Sequence, residues 1–267
     1  DWLSSRGLGD VYKRQDFTWR HAFVIPGVVS LLIGLVLLIL WRTGRMEDLT
    51  RDRVPPKPPS RQAMKTAFIV LTLTMACAGF VYSGVTNTMP KLFELGLDGL
   101  ATSFTDIGLY VGAVIALASL SGLLGGWLAD RYSPRVIYVV FWALMVAPIF
   151  LVNTVTGLHL VGLVIGVLFF NSGFVAAENM LVARYTPFEW RSLAFGSKFV
   201  LSLGVGGLTV EVAGWLFDAA GDFSLLYLWL GLAAAVAAIG ALFLPGEPRR
   251  QDAAPVSAGA AAQSPAS

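Results

Sequence analysis

Residues 126–135 read Gly-Trp-Leu-Ala-Asp-Arg-Tyr-Ser-Pro-Arg, a short charged turn held between two apolar runs that are each long enough to cross a bilayer. No charge occurs across residues 107–126, and no Lys or Arg occurs between Arg135 and Arg184, so one acid and two bases stand isolated by hydrocarbon on both sides. The cluster reads as a tight, cytoplasm-facing hinge between membrane helices.

Working outward, a helix rising 1.5 Å per residue needs about 20 apolar residues to cross about 30 Å of hydrocarbon. Seven stretches qualify: residues 22–41, 66–89, 107–129, 136–155, 159–183, 192–217 and 224–244. Their apolar runs are continuous rather than alternating, which favours helices over a barrel. The expected fold is therefore all-α, a polytopic membrane protein with seven transmembrane helices. The composition agrees. The chain is 56% hydrophobic and only 13% charged, where soluble domains carry about 25% charge. A formal charge of +2 gives no reason to expect nucleic acid as a partner. The single cysteine, Cys77, rules out an internal disulfide or a multi-cysteine metal site.

Orientation follows from the bases. Seven lie between residues 42 and 65, followed by the pairs Arg131 and Arg135, Arg184 and Arg191, and Arg249 and Arg250. The alternate loops hold Arg20 and Lys91 only, and residues 218–223 are purely acidic. Because an excess of Lys and Arg faces the cytoplasm, the first span is expected to start outside and the C-terminus to lie inside. The expected location is a bacterial inner membrane.

The segment 5–15 (SRGLGDVYKRQ) resembles the translation of a transposase-based sequencing adapter, so residues 1–15 are set aside as non-native. The natural sequence is then expected to start near Asp16, mid-gene. Residues 42–63 read as a basic cytoplasmic linker with a proline run that stays extended. Residues 64–244 form a six-helix unit, and the Ala/Ser/Pro/Gln tail 245–267 is expected to be disordered.

The hinge resembles the Gly-x-x-x-Asp-Arg-x-x-x-Arg loop motif of the major facilitator superfamily, in its second copy between the eighth and ninth of twelve helices. Trp19-Arg20-His21-Ala22-Phe23 resembles the start of the sixth family helix, and Gly214-Trp215-Leu216-Phe217-Asp218 the end of the eleventh. The chain departs from the motif at Ser133, where the family usually has Gly, and at Pro134, where a second base often follows. The resemblance covers residues 16–244 and implies a partial major facilitator fold, helices six to twelve, with residues 16–41 the last helix of a missing N-terminal half. It implies secondary active transport of a small solute by alternating access, with no enzymatic activity. The implied partners are that solute, the bilayer and the missing helices. No cofactor is implied, and the coupling ion, for which a proton is one candidate, is left open. The gate it implies comprises Gly126, Asp130, Arg131, Arg135, Glu178 and Arg184. At a helix end, Asp130 and Arg131 can pair with charges or helix termini on a neighbour when that side closes; the competing reading is that they cap a helix and set topology.

An ionisable residue at the centre of a span costs about 2.5 to 3.5 kcal/mol on insertion scales. Glu178, Lys198 and Glu211 therefore each call for a partner or a water-filled cavity. Glu178 and Lys198 sit at similar depth on consecutive helices and could pair; for Glu178 a bridge to Arg184 or Arg131 is preferred to a contact with the solute, and Lys198 could instead snorkel towards the level of Arg191. Lys198 and Glu211 are separated by about 220° and about 20 Å along a straight helix, too far for one site. Glu211 is a candidate proton carrier or an outer-gate hydrogen-bonding group near Trp215. Asn171 and Glu178, two helical turns apart, are expected on one inward face. Gly79, Ser83 and Asn87 recur every four residues before Pro90, which is expected to end the helix. That face suits either a cavity wall or close packing through small residues. Gly122, Gly125 and Gly126, and Gly204, Gly206 and Gly207, are expected to serve packing or bending. The assigned solute or ion pathway is Ser83, Asn87, Asn171, Lys198 and Glu211.

A heptahelical receptor or photoreceptor shares the span count and topology, although a retinal protein needs a lysine that the last span lacks. An intramembrane enzyme finds no His-Glu-x-x-His, paired aspartates or serine elbow here. For the gate, Asp130→Asn in the full-length protein is expected to lower transport while leaving expression intact; unchanged flux rates would refute the gate role.

Overall fold

The computed structural model describes residues 21–44, 59–97, 99–101 and 103–246. The expectations for the adapter-like N-terminus, most of the linker and the tail beyond Gly246 lie outside these residues. Two units are present, residues 1–57 and 58–267. In the first, α1 (His21–Arg42) is a helix of 22 residues whose apolar side chains are almost all exposed. It is polar-free apart from Ser30 and its ends, and its length of about 33 Å spans a hydrocarbon layer.

The second unit contains six more helices of spanning length and hydropathy. These are α2 (Arg61–Gly96), α3 (Phe104–Arg131), α4 (Pro134–Leu151), a fifth span divided into α5 (Gly157–Gly173) and α6 (Val175–Tyr185), α7 (Arg191–Ala220) and α8 (Ser224–Leu242). Among the described residues there is no strand. Helix ends follow local chemistry. Ser60 caps α2 by accepting from the Ala63 N–H, and Ser103 with Asp106 closes a reciprocal capping box at α3. Gly221 ends α7 with φ of +78°, a left-handed conformation that suits glycine. In the following turn, the Ser224 hydroxyl and then its N–H donate to Asp222 and hold that carboxyl below the ordinary carboxylate range.

One expectation needs correction. Pro90 does not end the second span: α2 runs through it for 36 residues. Proline removes one ladder bond and crowds the carbonyl four residues back, but Met89, Leu92, Phe93 and Leu97 are all buried beyond or beside it. Continuing that apolar face against the core outweighs one lost bond. The fifth span runs over Gly157–Tyr185 with a one-residue irregularity at Phe174, which lies between α5 and α6 with φ −77° and ψ −12° and whose N–H still donates to the Phe170 carbonyl at 3.3 Å. Gly173 beside it is crowded on both sides. Its carbonyl lies directly against the position a Cβ would take on Gly125, and the Phe141 ring fills the space where Gly173 itself would carry one.

The Phe174 ring is buried in the bundle. There it stacks on Trp142 at 4.9 Å between centroids, and Tyr138 meets it edge-on at 5.3 Å. Around this cluster α3 packs on α5, α2 on α7 and α8, and α4 on α5 and α8. The second close helix approach joins α2 to α7. A Cβ at Gly79 would collide with Ser202, and one at Gly206 would lie 2.8 Å from Ser83 Oγ. The packing role expected of glycine thus falls on Gly125 and Gly206, whereas Gly122, Gly126, Gly204 and Gly207 face open space.

Gly125→Val should destabilise the unit by about 1 to 3 kcal/mol through overpacking, while Gly122→Val, facing open space, should be close to neutral. Denaturant unfolding of the two variants in the same detergent checks this, and equal losses would refute it.

Candidate functional site

The charged turn is built by the end of α3 and the start of α4. Ala129 is buried, which turns Asp130 and Arg131 outward in the last turn of α3. Arg131 lies over the Trp127 ring, 5.7 Å from its centroid. Asp130 is exposed and makes no ion pair with a described residue. Ser133 occupies the cap position with φ −64°, and Pro134 is the first residue of α4. Neither Tyr132 nor Ser133 needs the left-handed conformation that glycine supplies. Pro134 is well placed, since the first helical position has no ladder bond to lose.

The turn reaches a neighbouring helix through Arg135 rather than through Asp130 or Arg131. The Arg135 guanidinium donates to the Leu242 carbonyl at 2.8 Å, at the C-terminus of α8. A cation there meets the unsatisfied carbonyls and the negative end of the helix dipole. The Tyr185 hydroxyl donates to the Pro245 carbonyl at 2.8 Å, so α4 and α6 both hold the end of α8.

The second cluster lies inside the bundle. Glu178 and Lys198 are 2% and 8% exposed. Lys198 Nζ is 2.5 Å from Glu178 Oε2 and 2.6 Å from Asn179 Oδ1. The Tyr138 hydroxyl stands 3.2 Å from Glu178 Oε1 and 2.8 Å from Thr74 Oγ1. Thr74 in turn donates to the Val70 carbonyl at 2.9 Å. One polar network therefore ties α2, α4, α6 and α7 together, and Glu178 takes Lys198 as its partner. Depth along consecutive helices makes that pairing legible in the sequence. Tyr138, Thr74 and Asn179 were missed; the signal that could have found them is the rarity of hydrogen-bonding side chains at this depth beside a charge.

The other expected pathway residues are dispersed. Asn171 is buried and donates to Met145 Sδ at 3.9 Å. Asn171 on α5 and Glu178 on α6 are both buried, one on each side of Phe174. Asn87 is exposed and donates to the Ser83 carbonyl at 2.8 Å. Ser83 contributes to the α2–α7 contact through Gly206. Glu211 is exposed in the C-terminal third of α7 and forms no ion pair with a described residue, and Trp215 one turn on is 70% exposed. Among the described residues no group of three or more His, Cys, Asp and Glu side chains could hold a metal ion.

Comparison with known proteins bears on this architecture. Residues 97–266 match the profile of the Major Facilitator Superfamily. The chain is 23% identical over 271 residues to the probable galactarate/D-glucarate transporter GarP of Escherichia coli (strain K12), which covers 88% of this chain and 60% of that protein. It is 25% identical over 244 residues to the 4-hydroxybenzoate transporter PcaK of Pseudomonas putida, covering 76% of this chain and 54% of that one. Its fold is similar to the crystal structure of the E. coli fucose:proton symporter FucP, with a TM-score of 0.63 at 16% identity over 91% of this chain and 62% of that chain. The chain spans between about half and three-fifths of the length of these curated relatives. Neither the fold nor the relatives support a heptahelical receptor or an enzyme.

Removing one member of a buried ion pair strands the other and costs about 3 to 5 kcal/mol, whereas replacing both is often near neutral. Lys198→Met alone should therefore destabilise strongly, and adding Glu178→Gln should restore most of the loss. A thermal-unfolding cycle on the three variants measures this, and a double variant as unstable as Lys198→Met would contradict it.

Proposed function

The chain belongs to the Major Facilitator Superfamily, and on that footing we propose that it forms the last seven helices of a secondary active transporter working by alternating access. It is an integral membrane protein of a transporter family rather than an enzyme. The observation that carries the mechanistic reading is the set of contacts made by the hinge. Arg135 holds the C-terminus of α8 from the start of α4, and Asp130 and Arg131 project outward beside it. A brace that binds one helix end while presenting an acid and a base to whatever approaches is suited to a gate.

In this proposal Gly126, Asp130, Arg131, Arg135 and Arg184 belong to the cytoplasmic gate, and Glu178 belongs to it as the partner of Lys198. Gly126 supports the assignment because a Cβ there would meet nothing within 4 Å inside the unit, which leaves that side open to another helix. Ser83, Asn87, Asn171, Lys198 and Glu211 are assigned to the pathway. Residues 16–41 are the last helix of the other half, residues 42–63 the linker, and residues 64–244 the second six-helix half. The excess of bases on one side supports placing the hinge in the cytoplasm, of a bacterial inner membrane. The solute is proposed to be a small organic acid. The support is that GarP and PcaK, named for sugar diacids and an aromatic acid, are the relatives matched over most of the chain.

Glu211 is the proposed coupling carboxylate, because it is the ionisable side chain within a span that the unit leaves exposed and without an ion partner among the described residues. In proteoliposomes holding the full-length transporter, an imposed proton gradient should drive accumulation of an organic acid such as 4-hydroxybenzoate or D-glucarate. Glu211→Gln should abolish that accumulation and preserve exchange of solute at equal concentrations. Accumulation that persists in Glu211→Gln would remove Glu211 from coupling, and a complete transporter that moves no organic acid would overturn the solute class.

A further inference from the structure

The chain that leaves α8 is held at three points. Beyond Leu242 it tightens into a last turn, in which the Phe243 N–H donates to the Gly240 carbonyl at 3.0 Å and the Leu244 N–H to the Ala241 carbonyl at 3.2 Å. The Leu244 side chain, 1% exposed, folds back into the core and anchors that turn. Carbonyls at a helix end lack ladder partners, and two in this stretch find donors on other helices. Arg135, the second residue of α4, donates to the Leu242 carbonyl at 2.8 Å. Tyr185, the last residue of α6, donates from its hydroxyl to the Pro245 carbonyl at 2.8 Å. The backbone then passes close to Arg135 again, since a Cβ on Gly246 would stand 3.6 Å from Arg135 Nη1.

These anchors are unequal. Leu244 and Tyr185 are buried, so water competes poorly for the Tyr185 bond. Arg135 is half-buried, and a second acceptor for its guanidinium lies five residues earlier, on the other side of the turn. That acceptor is Asp130, exposed and without an ion pair to any described residue. An exposed ion pair contributes little, whereas a helix-end carbonyl offers Arg135 both a charge-assisted bond and the negative end of a dipole. Arg135 therefore prefers the Leu242 carbonyl for as long as that carbonyl is kept in reach, and Tyr185 and Leu244 are what keep it there.

We propose that residues 242–246 are a clasp that decides which partner Arg135 takes. Closed, the clasp keeps Arg135 on the Leu242 carbonyl and leaves Asp130 unpaired at the surface. Opened by loss of the Tyr185 bond, it withdraws the carbonyl, and Arg135 turns back across the hinge to neutralise Asp130. The end of α6 thereby sets a charge on the α3–α4 turn through the end of α8. The consequence for transport, that an open clasp disarms the cytoplasmic gate, rests on the gate reading above; the clasp itself does not.

The test is amide hydrogen exchange of this chain in phosphatidylcholine nanodiscs, followed in segments 240–246 and 132–140, with 103–107 at the far end of α3 as reference. Tyr185→Phe deletes one hydroxyl and should speed exchange in 240–246 by about two- to tenfold. Asp130→Asn should leave 132–140 unchanged in the parent chain, where the acid has no partner. In Tyr185→Phe the same change should speed 132–140 by about two- to fivefold, because Asp130 has gained Arg135 there, and Arg135→Gln should erase that difference. Exchange in 240–246 that is indifferent to Tyr185→Phe overturns the clasp. An effect of Asp130→Asn that is the same with and without the Tyr185 hydroxyl overturns it too, as does an equal acceleration at 103–107. If exchange behaves as expected while flux through the full-length transporter ignores both Asp130→Asn and Tyr185→Phe, the clasp stands and the gate reading falls.

Discussion

A carboxylate and an ammonium buried at membrane depth tolerate the hydrocarbon only together, and Glu178 with Lys198 imposes that condition on the whole six-helix unit. Each ion alone would carry a desolvation cost of several kcal/mol. Their contact removes much of it, and Asn179, Tyr138 and Thr74 supply hydrogen-bonding partners for what remains. One turn before Glu178 the fifth span packs tightly. The Gly173 carbonyl lies against the position a Cβ would take on Gly125, and Phe174 beside it joins the aromatic cluster. The ladder continues across this point, from the Phe174 N–H to the Phe170 carbonyl at 3.3 Å and from the Glu178 N–H to the Phe174 carbonyl at 2.9 Å. The same stretch of helix thus carries a close backbone contact on α3 and the acid that meets α7.

The charged turn works by a different logic, since its groups lie at the surface, where isolated ion pairs contribute little. Its strongest contact is Arg135 to a helix C-terminus, a bond from a cation to a carbonyl that the helix itself cannot satisfy. Ser133 and Pro134 make sense beside it. The turn needs extended backbone followed by a helix start, and Ser-Pro provides both without the freedom of glycine. What departs from the family motif in composition is consistent with the local geometry.

Much of the fold was legible because hydrocarbon is an unforgiving solvent. Continuous apolar runs of spanning length can hardly be anything but helices, and seven of them were located close to where they form. The pairing of Glu178 with Lys198 was legible from depth alone, although depth left Arg184 and Arg131 open as partners too. Pro90 and Phe174 show where that reading stops. Proline is a strong local signal, but Phe93 and Leu97 bury a continuing face that only the packed bundle reveals. The irregularity at Phe174 has no local signal, because Gly173 in an apolar run reads equally as a packing residue. The groups that crowd Gly173 lie on α3 and α4, nearly fifty and just over thirty residues away in the chain. Likewise Gly125 and Gly122 are alike in sequence, and only one of them meets a neighbour.

The two charges of α7 now separate into different physical situations. Lys198 is neutralised within the unit by a residue on the preceding helix, so its charge requires nothing from outside. Glu211, about 20 Å further along the helix axis, is exposed and has no such neighbour. Gly204, Gly207 and Gly214 flank it at intervals of three and four residues, which sets them on the same face of α7, and that face is open as well. Small residues allow a backbone or a solute to come close, and a carboxylate among them is tolerated in a membrane when it meets water, a proton or a cation there. Lys198 fixes α7 to its own bundle, which leaves the Glu211 face as the part of the helix free to answer to something beyond it. Under the alternating-access proposal this is the division of labour expected of a helix that belongs to one rigid half and borders the pathway between two.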